Sequence, residues 1–167
     1  MESIISIKNL RKSYGTKEVL KGIDIEVSRG EVIGYIGPNG AGKSTTVKIM
    51  LGLINDFDGE INILGQDIRS GEVDYKSKIG YVPETADIYE NLSAREYLTF
   101  VGELYGMDYD KSDEKARKLM ELFGIGDVYD SRISSFSKGM KQKTLIISAL
   151  INNPDILFLD EPLTGID

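Results

Sequence analysis

Apolar and polar residues alternate in part over residues 4–10 and again over 20–27, with Tyr14-Gly15-Thr16 between the two stretches. A period of two sends successive side chains to opposite faces, so the pattern predicts two antiparallel strands joined by a short turn. Residues 31–36 form a compact, β-branched run. A glycine-rich turn follows, and then residues 44–53, whose apolar positions have helical spacing; the unit reads as strand, loop, helix. Residues 59–64 and 79–82 read as two further short strands, with polar connections over 65–78.

From Ser93 the period changes to 3.6. Ser93 and Glu96 have the spacing of a capping box, and Tyr97, Leu98, Val101, Leu104 and Tyr105 supply one apolar face before Gly106. A second helix is predicted from near Ser112 through Ala116, Leu119, Met120 and Phe123 to Gly124, and a third over 138–151 ahead of Asn153-Pro154. Residues 155–160 form an almost wholly apolar run whose last residue, Asp160, is followed by Glu161, the pattern of a strand buried on both faces. Strands thus flank a mainly helical portion, residues 88–152, and no repeat or low-complexity tract interrupts them.

The composition narrows the function. With 41% hydrophobic residues in 167, the chain can bury a core, which sets aside a disordered reading. A net charge of -7 gives no broad field to attract a phosphate backbone, so nucleic acid is not an expected partner. There is no Cys and no His. Disulfides and thiolate metal sites are excluded, and a catalytic base has to be a carboxylate. No basic start precedes an apolar segment, and no run of about 18 apolar residues occurs, which predicts a cytoplasmic location.

Three motifs carry chemistry. Gly37-Pro38-Asn39-Gly40-Ala41-Gly42-Lys43-Ser44 matches G-x-x-x-x-G-K-[ST] in full, after a predicted strand and before a predicted helix. Its glycines let the loop curl so that backbone N–H groups face phosphate oxygens, and the helix adds its positive end. Lys43 is placed to reach the β- and γ-phosphates of a nucleotide, the Ser44 hydroxyl to ligate Mg2+, and the Thr45 N–H to bond phosphate. In Ile156-Leu157-Phe158-Leu159-Asp160-Glu161, a buried strand delivers two carboxylates: Asp160 to hold the Mg2+ and Glu161 to polarise an attacking water. Taken alone, that segment is as readily a plain buried strand with a polar exit. Residues 135–142 offer Ser137 and backbone N–H groups at a helix start, which could take a second phosphate; alone, they read as an N-cap followed by a basic first turn.

In their order along the chain, these motifs resemble the nucleotide-binding domain of ABC transporters over all 167 residues. The resemblance implies an α/β fold: a P-loop NTPase core with an N-terminal antiparallel β subdomain and a helical subdomain. Its expected layout is a β subdomain and P-loop core over 1–87, a helical subdomain with the signature motif over 88–152, and Walker B with the D-loop over 153–167. Residues 37–45 stand as Walker A and 156–160 as Walker B, followed by the base Glu161. Phe136-Ser137-Lys138-Gly139-Met140 stands at the signature Leu-Ser-Gly-Gly-Gln, keeping the serine and second glycine but carrying lysine and methionine in place of the first glycine and the glutamine. The family pattern implies that Ser137 and Gly139 contact the γ-phosphate of ATP held by an opposite subunit, in a homodimer or heterodimer. Tyr14, which alone reads as a surface tyrosine, matches the aromatic that stacks on adenine. Glu84 stands where the family's Q-loop has a glutamine touching Mg2+ and the attacking water, and residues 162–167 match the D-loop.

The Ser-Lys-Gly-Met signature and the Pro83-Glu84 pair are similar to the ABC-2 exporter branch. That likeness implies ATP hydrolysis powering export through a separate transmembrane permease, with the ATPase peripheral on the inner face of the membrane. A soluble ABC ATPase and a folded but inactive fragment are the alternatives. The family's domain continues past the D-loop to a switch histidine, so the chain is expected to be truncated and, as it stands, to bind ATP weakly and hydrolyse it negligibly.

Overall fold

The computed structural model describes residues 2–84 and 88–160. They form two compact units, Met1–Lys76 and Ser77–Asp167.

In the first unit, strands β1 (Ser3–Tyr14) and β2 (Lys17–Ser28) pair antiparallel. β3 (Asp58–Ile63) lies on the other side of β1, and β4 (Gln66–Asp67) closes a four-stranded sheet in the order β2-β1-β3-β4. Cross-strand partners Ile5 and Ile63, and Ile7 and Ile61, bury one face. The alternation in β1 is only partial because it changes phase. Asn9 adopts φ 49 at a bulge between Ile7 and Leu10, so Leu10 and Lys12 turn inward after Ile5 and Ile7. Gly59 sits opposite with φ 107, and a Cβ there would lie 2.6 Å from the Lys8 and Asn9 carbonyl oxygens. No larger residue fits that crossing. Lys12, turned inward, donates from Nζ to Asp56 Oδ2 at 2.8 Å, and this bond holds the Asp56 carboxyl below the usual Asp range.

Helix α1 (Lys43–Met50) packs Ile49 and Met50 into this core. It is shorter than the predicted 44–53, because Gly52 adopts φ 68 and its N–H and that of Leu53 turn back to the Ile49 and Lys48 carbonyls. Two further expectations for this unit are corrected. The connection over 65–78 contains β4 and a 3₁₀ turn, Asp74–Lys78. Residues 31–36 form no strand; Val32 is fully exposed and Ile36 is 91% exposed. β-branched side chains favour extended backbone, but a strand also needs a hydrogen-bonded neighbour, and none of the described residues supplies one.

In the second unit, β5 (Ile79–Val82) and β6 (Ile156–Leu159) pair in parallel, from Ile79 beside Ile156 to Val82 beside Leu159. Three helices lie between them in sequence: α2 (Ala94–Leu104), α3 (Tyr109–Leu122) and α4 (Lys138–Leu150). Leu98, Met120, Ile133, Ile147 and Ile151 are fully buried in their common core. Close approaches explain two glycines: a Cβ on Gly102 would strike Ser112, and one on Gly80 would strike the Ala149 carbonyl. Tyr129 is buried with its hydroxyl donating to Asp113 Oδ1 at 3.0 Å, and the Arg95 and Arg117 guanidinium groups approach its ring. Helix α3 starts at Tyr109, three residues before the predicted Ser112. Asp108 occupies the N-cap position, accepting the Ser112 N–H on its carbonyl, and Ser112 is buried against Gly102. β6 is not buried on both faces: Ile156 is covered, but Leu157 and Leu159 are 37% and 45% exposed. Only β5 pairs with it among the described residues.

The capping box at α2 is formed in both directions, the Ser93 hydroxyl accepting from the Glu96 N–H and the Glu96 carboxylate from the Ser93 N–H at 2.7 Å. The Ser93 N–H, and then the Ser93 hydroxyl, hold the Glu96 carboxyl below its usual range. A depressed carboxyl stabilises the fold above the unfolded-state value and loses that contribution as pH falls through the folded-state value. Ser93→Ala is expected to cost about 1 kcal/mol in chemical denaturation at neutral pH, and the difference from the parent protein should shrink as the pH drops below the ordinary glutamate range. An equal loss at every pH would contradict this coupling.

Candidate nucleotide-binding site

The loop over residues 37–42 leads directly into α1. The Ala41 N–H donates to the Pro38 carbonyl at 3.1 Å, closing a turn, and Gly40 and Gly42 take φ 81 and φ 90. Gly42 is doubly constrained: it occupies the N-cap of α1 in a left-handed conformation, and a Cβ there would press on the side chains of Leu20 and Val19 in β2. The tight curl is therefore a consequence of glycine at that position. The first turn of α1 presents N–H groups that have no carbonyl one turn earlier, and it contains no acidic residue, which suits an anion.

Lys43 lies across the mouth of the loop. Its ammonium donates to the Gly37 carbonyl at 2.5 Å and to the Pro38 carbonyl at 3.1 Å, and no carboxylate pairs with it among the described residues. Weak carbonyl partners leave the charge available to a phosphate. Behind it, Thr46 is fully buried and donates to the Gly42 carbonyl at 3.0 Å, while Tyr35 Oη lies 3.3 Å from the Thr46 hydroxyl. Ser44 is exposed and Thr45 partly so. Tyr14 closes β1 with its ring half exposed and Lys12 Nζ 5.0 Å from its centroid, an open π-face fit for stacking.

In the second unit, parallel pairing brings the C-terminal ends of β5 and β6 side by side. The Asp160 N–H donates to the Val82 carbonyl at 2.9 Å, so Asp160 and the exposed bend at Glu84 leave the same edge, where open parallel sheets bind ligands. Burial, and then the Asp160 charge, push the Tyr81 hydroxyl above the ordinary phenol range. Within this unit the Asp160 and Glu84 carboxylates are hard oxygen donors of the kind Mg2+ takes, as is the Ser44 hydroxyl within the first unit. Ser137 caps α4, its hydroxyl accepting the Met140 N–H at 3.2 Å; Ser137 is exposed and Gly139 partly so. The proposed base Glu161 and residues 162–167 lie outside the described residues.

The sequence did not point to Glu90. Its carboxylate accepts from Lys141 Nζ at 2.5 Å, and its carbonyl accepts the Ser134 N–H at 2.9 Å. Partners this far apart in sequence leave no periodic signal.

Comparison with known proteins gives this geometry its family. The ABC transporter profile matches residues 20–164. The linearmycin resistance ATP-binding protein of Bacillus subtilis is 38% identical over 164 residues, covering 98% of this chain and 53% of that protein. The Nod factor export ATP-binding protein I of Cupriavidus metallidurans is 34% identical over 167 residues, covering 100% of this chain and 55% of that protein. Among solved structures, an ATP-binding subunit of an ABC transporter superposes with a TM-score of 0.87 at 35% identity, covering 98% of this chain and 68% of that one. The chain belongs to the ABC transporter family. It has the α/β P-loop NTPase fold of that family's ATP-binding cassettes, and it spans about half the length of these curated relatives. Among the described residues, no helix is long and apolar enough to cross a membrane.

Proposed function

We propose that this protein binds and hydrolyses Mg-ATP and uses the energy to drive export through a transmembrane permease, sitting at the inner face of the cell membrane by way of that partner. The observation that carries the reading is the loop over 37–44: left-handed glycines curl it into the start of α1, with an ammonium that, among the described residues, is held by carbonyls alone at its mouth. Export rather than import is supported by the names of the relatives, one a resistance protein and one an export protein.

The roles follow from residue chemistry and family likeness. Backbone N–H groups of Asn39, Gly40, Gly42 and Thr45 cradle the phosphates, while Gly37, Pro38 and Ala41 shape the loop, the Ala41 N–H being spent on the Pro38 carbonyl. Lys43 neutralises charge on the β- and γ-phosphoryl oxygens, and Tyr14 stacks on the adenine. By family likeness Ser44 and Asp160 would hold the Mg2+, with Glu84 contributing directly or through water, and that ion would withdraw charge from the phosphoryl oxygens. A glutamate stands at 84 where the family has a glutamine, and bound Mg2+ would offset the repulsion between that carboxylate and the γ-phosphate. Glu161 accepts the proton of the attacking water. Ser137 and Gly139 complete the site of a second subunit from across a dimer. The corresponding layout is a β subdomain and P-loop core over 1–87, a helical subdomain over 88–152, and catalytic carboxylates with an interface loop over 153–167.

The test is phosphate release by the protein as it occurs in the cell, with and without Mg2+, alone and with its co-purifying membrane protein in vesicles. Turnover that requires Mg2+ and rises with the membrane partner is the expected outcome. A protein that binds no adenine nucleotide under any of these conditions would overturn the reading.

A further inference from the structure

We infer that Glu90 and Lys141 are positioning residues that set Ser137 and the start of α4 for contact with nucleotide, an inference that rests on the role proposed above for Ser137. The geometry is a bracket. Ser134, three residues before Ser137, donates its N–H to the Glu90 carbonyl at 2.9 Å. Lys141, one helical turn after Ser137, donates from Nζ to Glu90 Oε1 at 2.5 Å. Lys141 also donates its backbone N–H to the Ser137 carbonyl at 2.9 Å. One residue outside the helix thus holds the chain on both sides of the serine.

Glu90 is itself anchored to the same loop. The Ile133 N–H donates to the Leu92 carbonyl, the Ala94 N–H to the Ser131 carbonyl and the Arg95 N–H to the Tyr129 carbonyl, and Ser93 bridges Arg132. Residues 90–95 and 129–134 therefore behave as one piece of backbone. Ile88, just ahead of them, is buried in the same core as Phe136, the residue before Ser137. A displacement of residues 90–95 cannot leave the start of α4 where it was, because several hydrogen bonds would have to break together.

Electrostatics explain why an ion pair stands here. Lys141 closes the first turn of α4, where the positive end of the helix disfavours a cation, and that turn has no acidic residue of its own. The Glu90 carboxylate answers both charges. Glu90 is half exposed and Lys141 about a quarter exposed, and pairs in such settings add little to folding stability. What the pair supplies is orientation: it fixes a long side chain of α4 to a point outside the helix, in a direction the backbone ladder alone does not control.

The experiment compares Glu90→Ala, Lys141→Met, the charge exchange Glu90→Lys with Lys141→Glu, and Ser137→Ala in the complete protein with its membrane partner. Each is assayed for ATP turnover, for ATP-dependent association of subunits, for affinity of single subunits for a fluorescent ATP analogue, and for thermal stability. Either single substitution of the pair should lower kcat and ATP-dependent association by about three- to tenfold, the range of an oriented charged contact. Single-subunit affinity and melting temperature should stay close to those of the parent, and the charge exchange should recover at least half of the lost rate. A loss of rate without a loss of melting temperature is what a merely structural role would not produce, and the recovery ties that loss to the pair. If Ser137→Ala impairs association while Glu90→Ala and Lys141→Met leave kcat unchanged, the bracket has no positioning role. Failure of the charge exchange to restore any rate, or losses in rate that only follow losses in melting temperature, would overturn it as well. If Ser137→Ala itself has no effect, the role proposed for Ser137 falls, and this inference with it.

Discussion

Lys43→Ala is expected to reduce ATP turnover by about a hundredfold or more, since a charge-assisted bond to a developing phosphoryl charge contributes roughly 3 kcal/mol. Nucleotide affinity should fall as well. The wild-type ammonium is held by two carbonyl oxygens, those of Gly37 and Pro38, and phosphate is a better partner than either, so binding exchanges weak contacts for strong ones. Removing the ammonium leaves the curled loop and its N–H groups in place, because the curl rests on Gly40, Gly42 and the turn at Pro38. Folding should therefore be preserved, and the loss should appear in steady-state phosphate release and in titrations with a fluorescent ATP analogue. Lys43→Arg should rescue little: a planar fork is not a substitute for a point charge in a narrow loop. Turnover within twofold of the parent for Lys43→Ala would show that the loop is not where ATP reacts.

Leu98→Ala should destabilise the second unit by about 3 kcal/mol, with a range of roughly 2 to 5 kcal/mol for a buried leucine whose cavity does not collapse. Leu98 is fully buried in the core that Met120, Ile133, Ile147 and Ile151 share, contributed by three helices and the loops between them. Phe100, on the opposite face of α2 and 44% exposed, provides the contrast: Phe100→Ala should change stability by about 0.5 kcal/mol or less, as an exposed substitution does. Chemical denaturation followed by far-ultraviolet circular dichroism measures both. Similar costs for the two substitutions would show that α2 does not bury the face described here.

The pattern of residues revealed much of this arrangement, and the places where it fell short have physical causes. The start of helix α2 was legible because Ser93 and Glu96 describe local geometry, but its predicted apolar face held only in part: Leu104 is 70% exposed and Tyr105 40%, since nothing among the described residues covers them fully. The start of α3 was misplaced because Ser112 has the chemistry of a cap, yet the chain buries it against Gly102 and leaves the cap position to Asp108. The loop around Lys43 was legible because its demands are local: left-handed backbone, a helix start and a cation, all within eight residues. By contrast, residues 31–36 were expected as a strand on β-branched content alone, and β6 as buried on both faces on apolar content alone. Both expectations concern neighbours rather than the segment itself. Composition measures what a segment can tolerate, whereas pairing and burial depend on what is brought alongside it.

The sequence by itself determined the chemistry available to this protein: a phosphate loop ending in Lys43-Ser44, carboxylates at 160 and 161 in place of any histidine, and a serine at a helix start. These are properties of residue type and short spacing, which local backbone geometry enforces. Only the tertiary structure decided that Asn9 and Gly59 rephase β1 so that Lys12 points inward to Asp56, that β5 and β6 deliver Glu84 and Asp160 to one edge, and that Glu90 brackets Ser137 through Ser134 and Lys141. Those relations join residues separated by tens of positions. They arise from packing and ladder register, in which each contact depends on every other, and no local pattern records them.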